Sequence, residues 1–344
     1  MIRINKLLVD AQRVVFLNLI KKYFKYQEFS LDKKKRRIEK DKLVKKFKRK
    51  RSLEFKMLRF FHTNLERIIL AQPKDMMTLN NEFLTFLNFR ENDTVHQAQF
   101  DRFKNQMEYY YNIFFQVRFD FKGEEISYGR WLTKMLNVKV CPYCNHNYIF
   151  TINDNDQKVY SRPQFDHFYP KKKYPLLALS LYNLIPACYV CNNIKGEHEI
   201  SFHPYRDDCF ETVTFHISSN DGKKIEKNAN ISKWITETSK LKIDFEHSFD
   251  GKAITDEDEK TNFVKRLGIN KVFEEHTDYV DEILGKIYGY NNDYYNALCK
   301  DFPGLGISPE QIDLIIWNAY LQDNGKRPMS KLTTDILKQF DIIK

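Results

Sequence analysis

The chain has no run of about eighteen consecutive apolar residues, so no helix able to cross a bilayer is expected. A secretory leader is not expected either. Asp10 and Arg13 interrupt the moderately apolar start, and no small-residue cleavage site follows it. Cysteine is scarce, at six in 344 residues, and four of the six fall into two C-x-x-C pairs. In a chain this long that spacing suits metal ligation in a reducing cytoplasm better than a secreted disulfide framework. Internal repeats are absent, as are low-complexity tracts other than one rich in lysine. The expectation is a soluble, cytoplasmic protein with a substantial core and, by length alone, about two domains.

The net charge of +10 is concentrated in one place. Residues 31–60 hold fifteen Lys or Arg against four Asp or Glu, a local net of +11, which leaves the rest at −1. A basic tract of this kind is the electrostatic footprint of a protein that meets a polyanion, although a solvated helix face has the same composition. Lys33 to Arg51 reads as a long exposed helix, and Lys46, Lys48 and Lys50 are its candidate nucleic-acid contacts.

Around that tract, residues 1–130 read as mostly helical. Val15, Leu19 and Tyr23, and again Met57, Phe61 and Leu65, recur at four-residue spacing and predict apolar stripes facing a core. From about Gly129 the composition turns to short strand-like runs, prolines and cysteines. Tyr148 to Asn153 predicts a strand, residues 154–156 a turn, and Lys158 to Phe168 a returning strand. Glu211 to Ser218 predicts another strand, with Asn220-Asp221-Gly222 as a hairpin turn. Helical periodicity returns with Tyr279, Ile283 and Ile287. Pro303 to Gly306 reads as a linker, and Ser308-Pro309-Glu310-Gln311 as a capped helix start.

The chemistry gathers between the two cysteine pairs. Cys141-Pro142-Tyr143-Cys144 and Cys188-Tyr189-Val190-Cys191 each present two thiolates on a tight turn, and four sulfurs suit a closed, structural zinc site. The 43 residues between the pairs exceed the loop of a simple ribbon, so a functional element is expected there. That stretch carries Phe165-Asp166-His167-Phe168 and Tyr182-Asn183-Leu184-Ile185-Pro186, and ends at Cys191-Asn192-Asn193-Ile194-Lys195-Gly196. The order resembles the HNH nucleases, a family built on a ββα-metal fold, over about residues 139–205.

The resemblance implies an α+β chain in three parts. These are a basic helical region over 1–130, a zinc-bound HNH module over 131–205, and a β-hairpin followed by a helical region over 206–344. It implies a metal-dependent endonuclease, with His167 as general base, Asn183 holding the His-bearing loop in orientation, and Lys195 reaching the substrate phosphate. Asp166 and Asn192, or Asn193 in place of Asn192, would hold a catalytic Mg2+ or Mn2+, and these hard oxygen donors suit such ions. Phosphodiester hydrolysis needs such a set: an activated water, a cation for the phosphate, and donors for the developing charge. His146, His198 and His203 stand off the family positions and are read as packing or supporting residues.

Asp166 to Lys171 with Tyr174-Pro175, the later Phe202-His203-Pro204-Tyr205, and Arg327 to Leu332 are similar to bacterial HNH effectors of anti-phage systems of the Septu and retron-associated type. That similarity implies nucleic acid as substrate, double-stranded DNA ahead of RNA, and an ATPase subunit as partner. The alternative is a non-catalytic module in which zinc knuckles and a basic helix bind nucleic acid or a partner without cutting.

Overall fold

A computed structural model describes residues 4–29, 52–153, 159–207, 213–226, 231–236, 241–249, 252–253, 263–290 and 292–343. The basic tract from Lys33 to Arg51, with Lys46, Lys48 and Lys50, lies outside the described residues.

The first layer is helical: α1 (Lys6–Phe29), α2 (Leu53–Thr63), α3 (Leu65–Ile69), α4 (Met76–Leu87) and α5 (Thr94–Phe114). On α1 the expected stripe through Val15 is out of phase. Val15 is 38% exposed, while Val9, Phe16, Ile20 and Tyr23 are buried. Residues three and four apart share a helix face, which makes Phe16 rather than Val15 the partner of Ile20 and Tyr23. The Ser52 hydroxyl accepts from the Phe55 N–H to start α2, whose Met57 and Phe61 are buried as the spacing predicts. Leu65 follows a break at Asn64 and packs partly buried at the start of α3. The Asp93 carboxylate accepts from the N–H groups of Val95 and His96 to start α5. At the far end of α5, Phe114 meets Phe16 and Tyr23 edge to face, which seals α1 against it.

A tight hairpin follows, with β1 (Arg118–Phe121) and β2 (Glu124–Ser127) joined through Lys122 and Gly123. Both turn residues have positive φ, 56° and 82°, as a two-residue turn matched to strand twist requires. The chain then enters α6 (Tyr128–Leu136).

In the central segment β3 (Ile152–Asn153) pairs antiparallel with β4 (Val159–Ser161), and β5 (Gln164–His167) with β6 (Leu184–Ala187). The strand expected over Tyr148 to Asn153 is shorter than read: Tyr148 makes only an isolated bridge to Val140. The expected return strand from Lys158 to Phe168 splits into β4 and β5, which pair with different partners. Pro163 lies between them and has no N–H to donate to a ladder. After β6 comes α7 (Tyr189–Lys195).

The remainder builds a three-stranded antiparallel sheet in the order β7 (Val213–Ser219), β8 (Leu241–Phe249), β9 (Lys252–Ala253), with α8 (Ile231–Thr236) between β7 and β8 in the chain. The turn at Asn220 to Gly222 does reverse the chain, since the Ser219 N–H donates to Lys223 O at 2.8 Å and the Ile225 N–H to Ile217 O at 3.0 Å. Helices α9 (Phe263–Arg266), α10 (Ile269–Glu274), α11 (Thr277–Gly289), α12 (Asn292–Asp301), α13 (Pro309–Trp317) and α14 (Ser330–Gln339) complete the fold. Ile283 and Ile287 are buried on α11, with Tyr279 partly buried beside them. The reciprocal capping box of Ser308 and Gln311 starts α13 as expected. The expected linker at Pro303 is instead part of a 3-10 turn, Phe302–Leu305.

Residues Ser330 through Leu337 of α14 are all buried, including the ion pair of Lys331 with Asp335. Asp335 Oδ2 also accepts from the Phe215 N–H at 2.9 Å, and Gln339 Oε1 from the Ile217 N–H at 2.8 Å. Side chains of α14 thus satisfy donors of β7 that a further strand would otherwise take. The architecture is mixed, helices around small antiparallel sheets. Among the described residues no helix is long and apolar enough to cross a membrane.

Candidate metal centre and active site

The two cysteine pairs come together. The sulfurs of Cys141, Cys144, Cys188 and Cys191 all lie within 4.8 Å of one another and are buried. The first pair sits on a turn closed by the Asn145 N–H donating to Cys141 O at 2.9 Å, with Asn145 in the left-handed region. The second pair begins α7, where Cys188 is the N-cap residue. Backbone N–H groups point at the sulfurs: Cys188 N–H to Cys141 Sγ, Cys191 N–H to Cys188 Sγ and His146 N–H to Cys144 Sγ, each at 3.4 Å.

This donor set fits zinc. Zn–S bonds of about 2.3 Å in a tetrahedron place sulfurs about 3.8 Å apart, compatible with the observed spread. Burial pushes the Cys141 thiol up, while donation from the other three cysteines holds Cys188 down, so four buried sulfurs need a cation before all can be thiolates. The first knuckle is fixed from behind. Asn145 donates to Asn324 O at 2.8 Å and accepts from the Lys331 N–H at 2.9 Å, and its carbonyl accepts from the Met329 N–H at 2.8 Å. The Arg327 to Leu332 segment is thereby docked against the cysteine cluster.

His167 closes β5, opposite Leu184 of β6. Its ring is buried, at 8% exposure, with Tyr111 of α5 edge-on at 4.6 Å. Nε2 lies 3.0 Å from Ala178 O. A carbonyl only accepts, so Nε2 carries the proton and Nδ1 keeps the lone pair. Burial, opposed by the Ala178 carbonyl, pushes the ring's pKa down from 6.5 to about 3, and the charges of Lys171 and Lys195 add to the fall. His167 is neutral at pH 7.

Asn183 is fully buried and holds the loop that carries this carbonyl. It accepts from the Tyr169 N–H at 2.7 Å and donates to Tyr169 O at 3.1 Å and to Leu177 O at 3.0 Å. Leu177 precedes Ala178, so Asn183 ties the two ends of the 169–177 loop together next to the residue whose carbonyl meets the imidazole.

Asp166 lies two residues after Gln164 on the same face of β5 and is 2% exposed. Both of its oxygens are engaged. Tyr143, between the first two cysteines, donates to Oδ2 at 2.6 Å, and the Lys195 ammonium donates to Oδ1 at 3.1 Å. Burial pushes the Asp166 carboxyl up, against the pull of Lys195 and Tyr143. Lys195 is turned inward from its helix and fully buried, where it also donates to His167 O at 2.7 Å. In this arrangement it neutralises Asp166 instead of facing a phosphate, because a buried ammonium needs a counter-charge. Gly196 then ends α7 at φ 48°, a conformation that favours glycine. The Asn192 amide donates to Gln164 Oε1 at 2.6 Å, which leaves its oxygen as a hard donor, and Asn193 is exposed.

The three other histidines pack elsewhere. His146 Nε2 lies 2.8 Å from His276 Nε2, and His198 pairs with Arg266. His203 is buried with its ring 4.1 Å from that of Phe168, and Tyr205 donates to Leu184 O at 2.8 Å, so the Phe202 to Tyr205 motif backs the β5–β6 pair. Tyr143, Tyr111, and the ion pair of Lys171 with Glu108 at 2.7 Å are neighbours of the site that spacing did not reveal. Only Tyr143 carries a local signal, as an aromatic inside a cysteine knuckle.

No family model matches the chain. A Septu protein PtuB of Bacillus thuringiensis is 34% identical over 86 residues, which is 25% of this chain and 30% of that protein, so the chain spans less than a third of the length of the relative it matches. No solved structure matches.

Proposed function

We propose that the chain is a metal-dependent nuclease of the HNH type that hydrolyses phosphodiester bonds, in duplex DNA ahead of RNA, as an effector of bacterial defence against phage. The observation that carries this reading is the fixed tautomer of His167, neutral and with Nδ1 free to take a proton from water. A ring with a low pKa is a weak base in isolation. A bound phosphate raises it, since opposite charge favours the protonated ring. Asn183 sets the loop whose carbonyl fixes that tautomer, and Asp166 and Asn192 would hold Mg2+ or Mn2+. One carboxylate and one amide oxygen are hard donors of the kind such an ion takes, and Asp166, held on both oxygens by Tyr143 and Lys195, would have to exchange one of those partners for it. When bound, the ion supplies positive charge for the phosphate and the leaving oxygen. The four-cysteine cluster is structural zinc, and β5, β6 and α7 in sequence order are the two strands and helix of the proposed module. The similarity to the Septu protein and the basic tract favour a defence role, nucleic acid as substrate and an ATPase subunit as partner.

A second reading, a binding module that does not cut, is favoured by the burial of His167 and by the engagement of both Asp166 oxygens. Plasmid DNA and total RNA incubated with the wild type and with His167→Ala, in Mg2+, Mn2+ or EDTA, separate the two. Cleavage that needs the divalent ion and is lost in His167→Ala, at unchanged zinc content, supports the nuclease. Binding without cleavage by the wild type under every condition refutes it.

A further inference from the structure

The two lysines whose charge reaches the His167 ring are both engaged, Lys195 with Asp166 and Lys171 with Glu108. Arg162 differs. It is exposed, stands just before β5, and makes no hydrogen bond or ion pair among the described residues. Its guanidinium is nonetheless placed. A Cβ on Gly129 of α6 would stand 3.2 Å from Arg162 Nη1, and 3.1 and 3.2 Å from Cδ1 and O of Phe115, so the bare glycine is what lets the guanidinium settle between α6 and Phe115. From there a run of rings leads to the imidazole. Phe115 lies 4.8 Å from Tyr111, whose ring meets that of His167 at 4.6 Å, and 5.3 Å from Phe165, which shares a strand face with His167. Burial raises the Tyr111 phenol, and the Arg162 charge opposes that rise.

We infer that Arg162 is a substrate-binding residue, holding a backbone phosphate of the strand that lies across Tyr111 and His167. The inference rests on the proposed nuclease site. A guanidinium presents a planar fork of donors that matches two phosphate oxygens, and it sheds water more readily than an ammonium. Arg162 gives up no protein partner to do so, whereas Lys195 would leave a buried carboxylate without its counter-charge. The rings between Arg162 and His167 set the two apart, so the phosphate held is that of a neighbouring nucleotide and not the one attacked. Such a contact is made alike in the ground state and the transition state, and it acts on binding.

The test uses the zinc-loaded full chain and a fluorescein-labelled DNA duplex, with anisotropy followed across a range of salt and no divalent ion added. Arg162→Gln is expected to weaken binding about tenfold at low salt and to flatten the slope of log affinity against log salt by about 0.9, one phosphate contact. Lys242→Gln removes the same charge from the exposed face of β8, in another sheet, and should leave both near wild type. Arg162→Lys keeps a point charge, so it should keep the slope and recover part of the affinity. In a parallel cleavage assay Arg162→Gln should raise KM by the same factor with kcat near wild type. Arg162→Gln that matches Lys242→Gln in affinity and slope overturns the inference, as does a wild type that does not bind the duplex. A fall in kcat with KM and slope unchanged overturns it too. A wild type that binds but never cuts removes the nuclease reading, and the salt slope of Arg162→Gln then decides the phosphate contact by itself.

Discussion

Replacing Asn183 by Ala tests the link between loop and base most directly. The side chain makes three hydrogen bonds, one from the Tyr169 N–H and two to the carbonyls of Tyr169 and Leu177, at 2.7 to 3.1 Å in a fully buried position. Alanine leaves all three backbone groups without that partner. At about 1–3 kcal/mol for each buried group left unpaired, the upper bound is about 9 kcal/mol, and relaxation of the loop or entry of a water brings the expected loss to about 3–4 kcal/mol. That is a large share of the roughly 5–15 kcal/mol by which domains are stable. Urea denaturation followed by circular dichroism measures it. Because the Leu177 carbonyl adjoins the Ala178 carbonyl that fixes His167, cleavage should fall even at temperatures where the variant is fully folded. His167→Ala should lose cleavage with a much smaller stability change. A midpoint shift in Asn183→Ala equivalent to less than about 1 kcal/mol, with wild-type cleavage, would refute the argument.

Cys188→Ser should lower zinc content and soluble yield together, because zinc binding in four-thiolate sites contributes about 10–16 kcal/mol to folding in small peptides; soluble, zinc-free protein with a native melting curve would refute the assignment. Burial holds the His203 pKa well below 6.5, so the unfolded chain takes up a proton there that the folded chain refuses. Stability carried by this residue is therefore complete above about pH 6.5 and falls as pH drops below it, by up to about 1.4 kcal/mol per pH unit. In urea titrations, wild type minus His203→Asn should shrink from pH 7 to pH 5, and a constant difference would contradict the neutral assignment. Replacing Lys46, Lys48 and Lys50 by Glu should weaken DNA binding and flatten the slope of log affinity against log salt, by about 0.9 for each duplex phosphate no longer neutralised. An unchanged slope in filter binding would move the DNA-binding role elsewhere on the chain.

What the sequence made legible was local. Two residues between cysteines place both thiols on one turn, and the same spacing repeated predicts the cluster that the fold assembles. The Ser308 and Gln311 capping box was readable for the same reason, since its two hydrogen bonds span three residues. Phase and interruption were harder. The stripe on α1 misses Val15 by one residue, and Pro163 divides what reads as one strand. Buried charge was not legible at all. Nothing in the spacing around Lys195 or Lys331 announces an ion pair, yet each is fully buried against an aspartate, Asp166 and Asp335 respectively. Composition records a charge but not its partner, and Asp166 stands 29 residues from Lys195. Nor does spacing reveal that Tyr111, on a helix of the first layer, faces the His167 ring.

The packing of Tyr111 on His167 changes how the chain divides for function. Several bonds tie the first layer to the central segment: Ile4 N–H to Pro204 O at 2.8 Å, Ser180 Oγ to Ile68 O at 2.6 Å, and Tyr182 with Asp10. Lys171 reaches Glu108, and its ammonium lies 5.2 Å from the centre of the Tyr111 ring. The burial that lowers the His167 pKa is thus made jointly by the strand that carries the residue and the helix that covers it. A β5–β6–α7 unit alone would keep the Ala178 carbonyl and the Asn183 clamp but not the Tyr111 cover. With more water at the ring, the desolvation that favours the neutral form would weaken, and the pKa would rise toward 6.5. The proton-accepting state of the proposed base is therefore a property of the two layers together, and the helical layer contributes to the chemistry while making no direct hydrogen bond to the imidazole among the described residues.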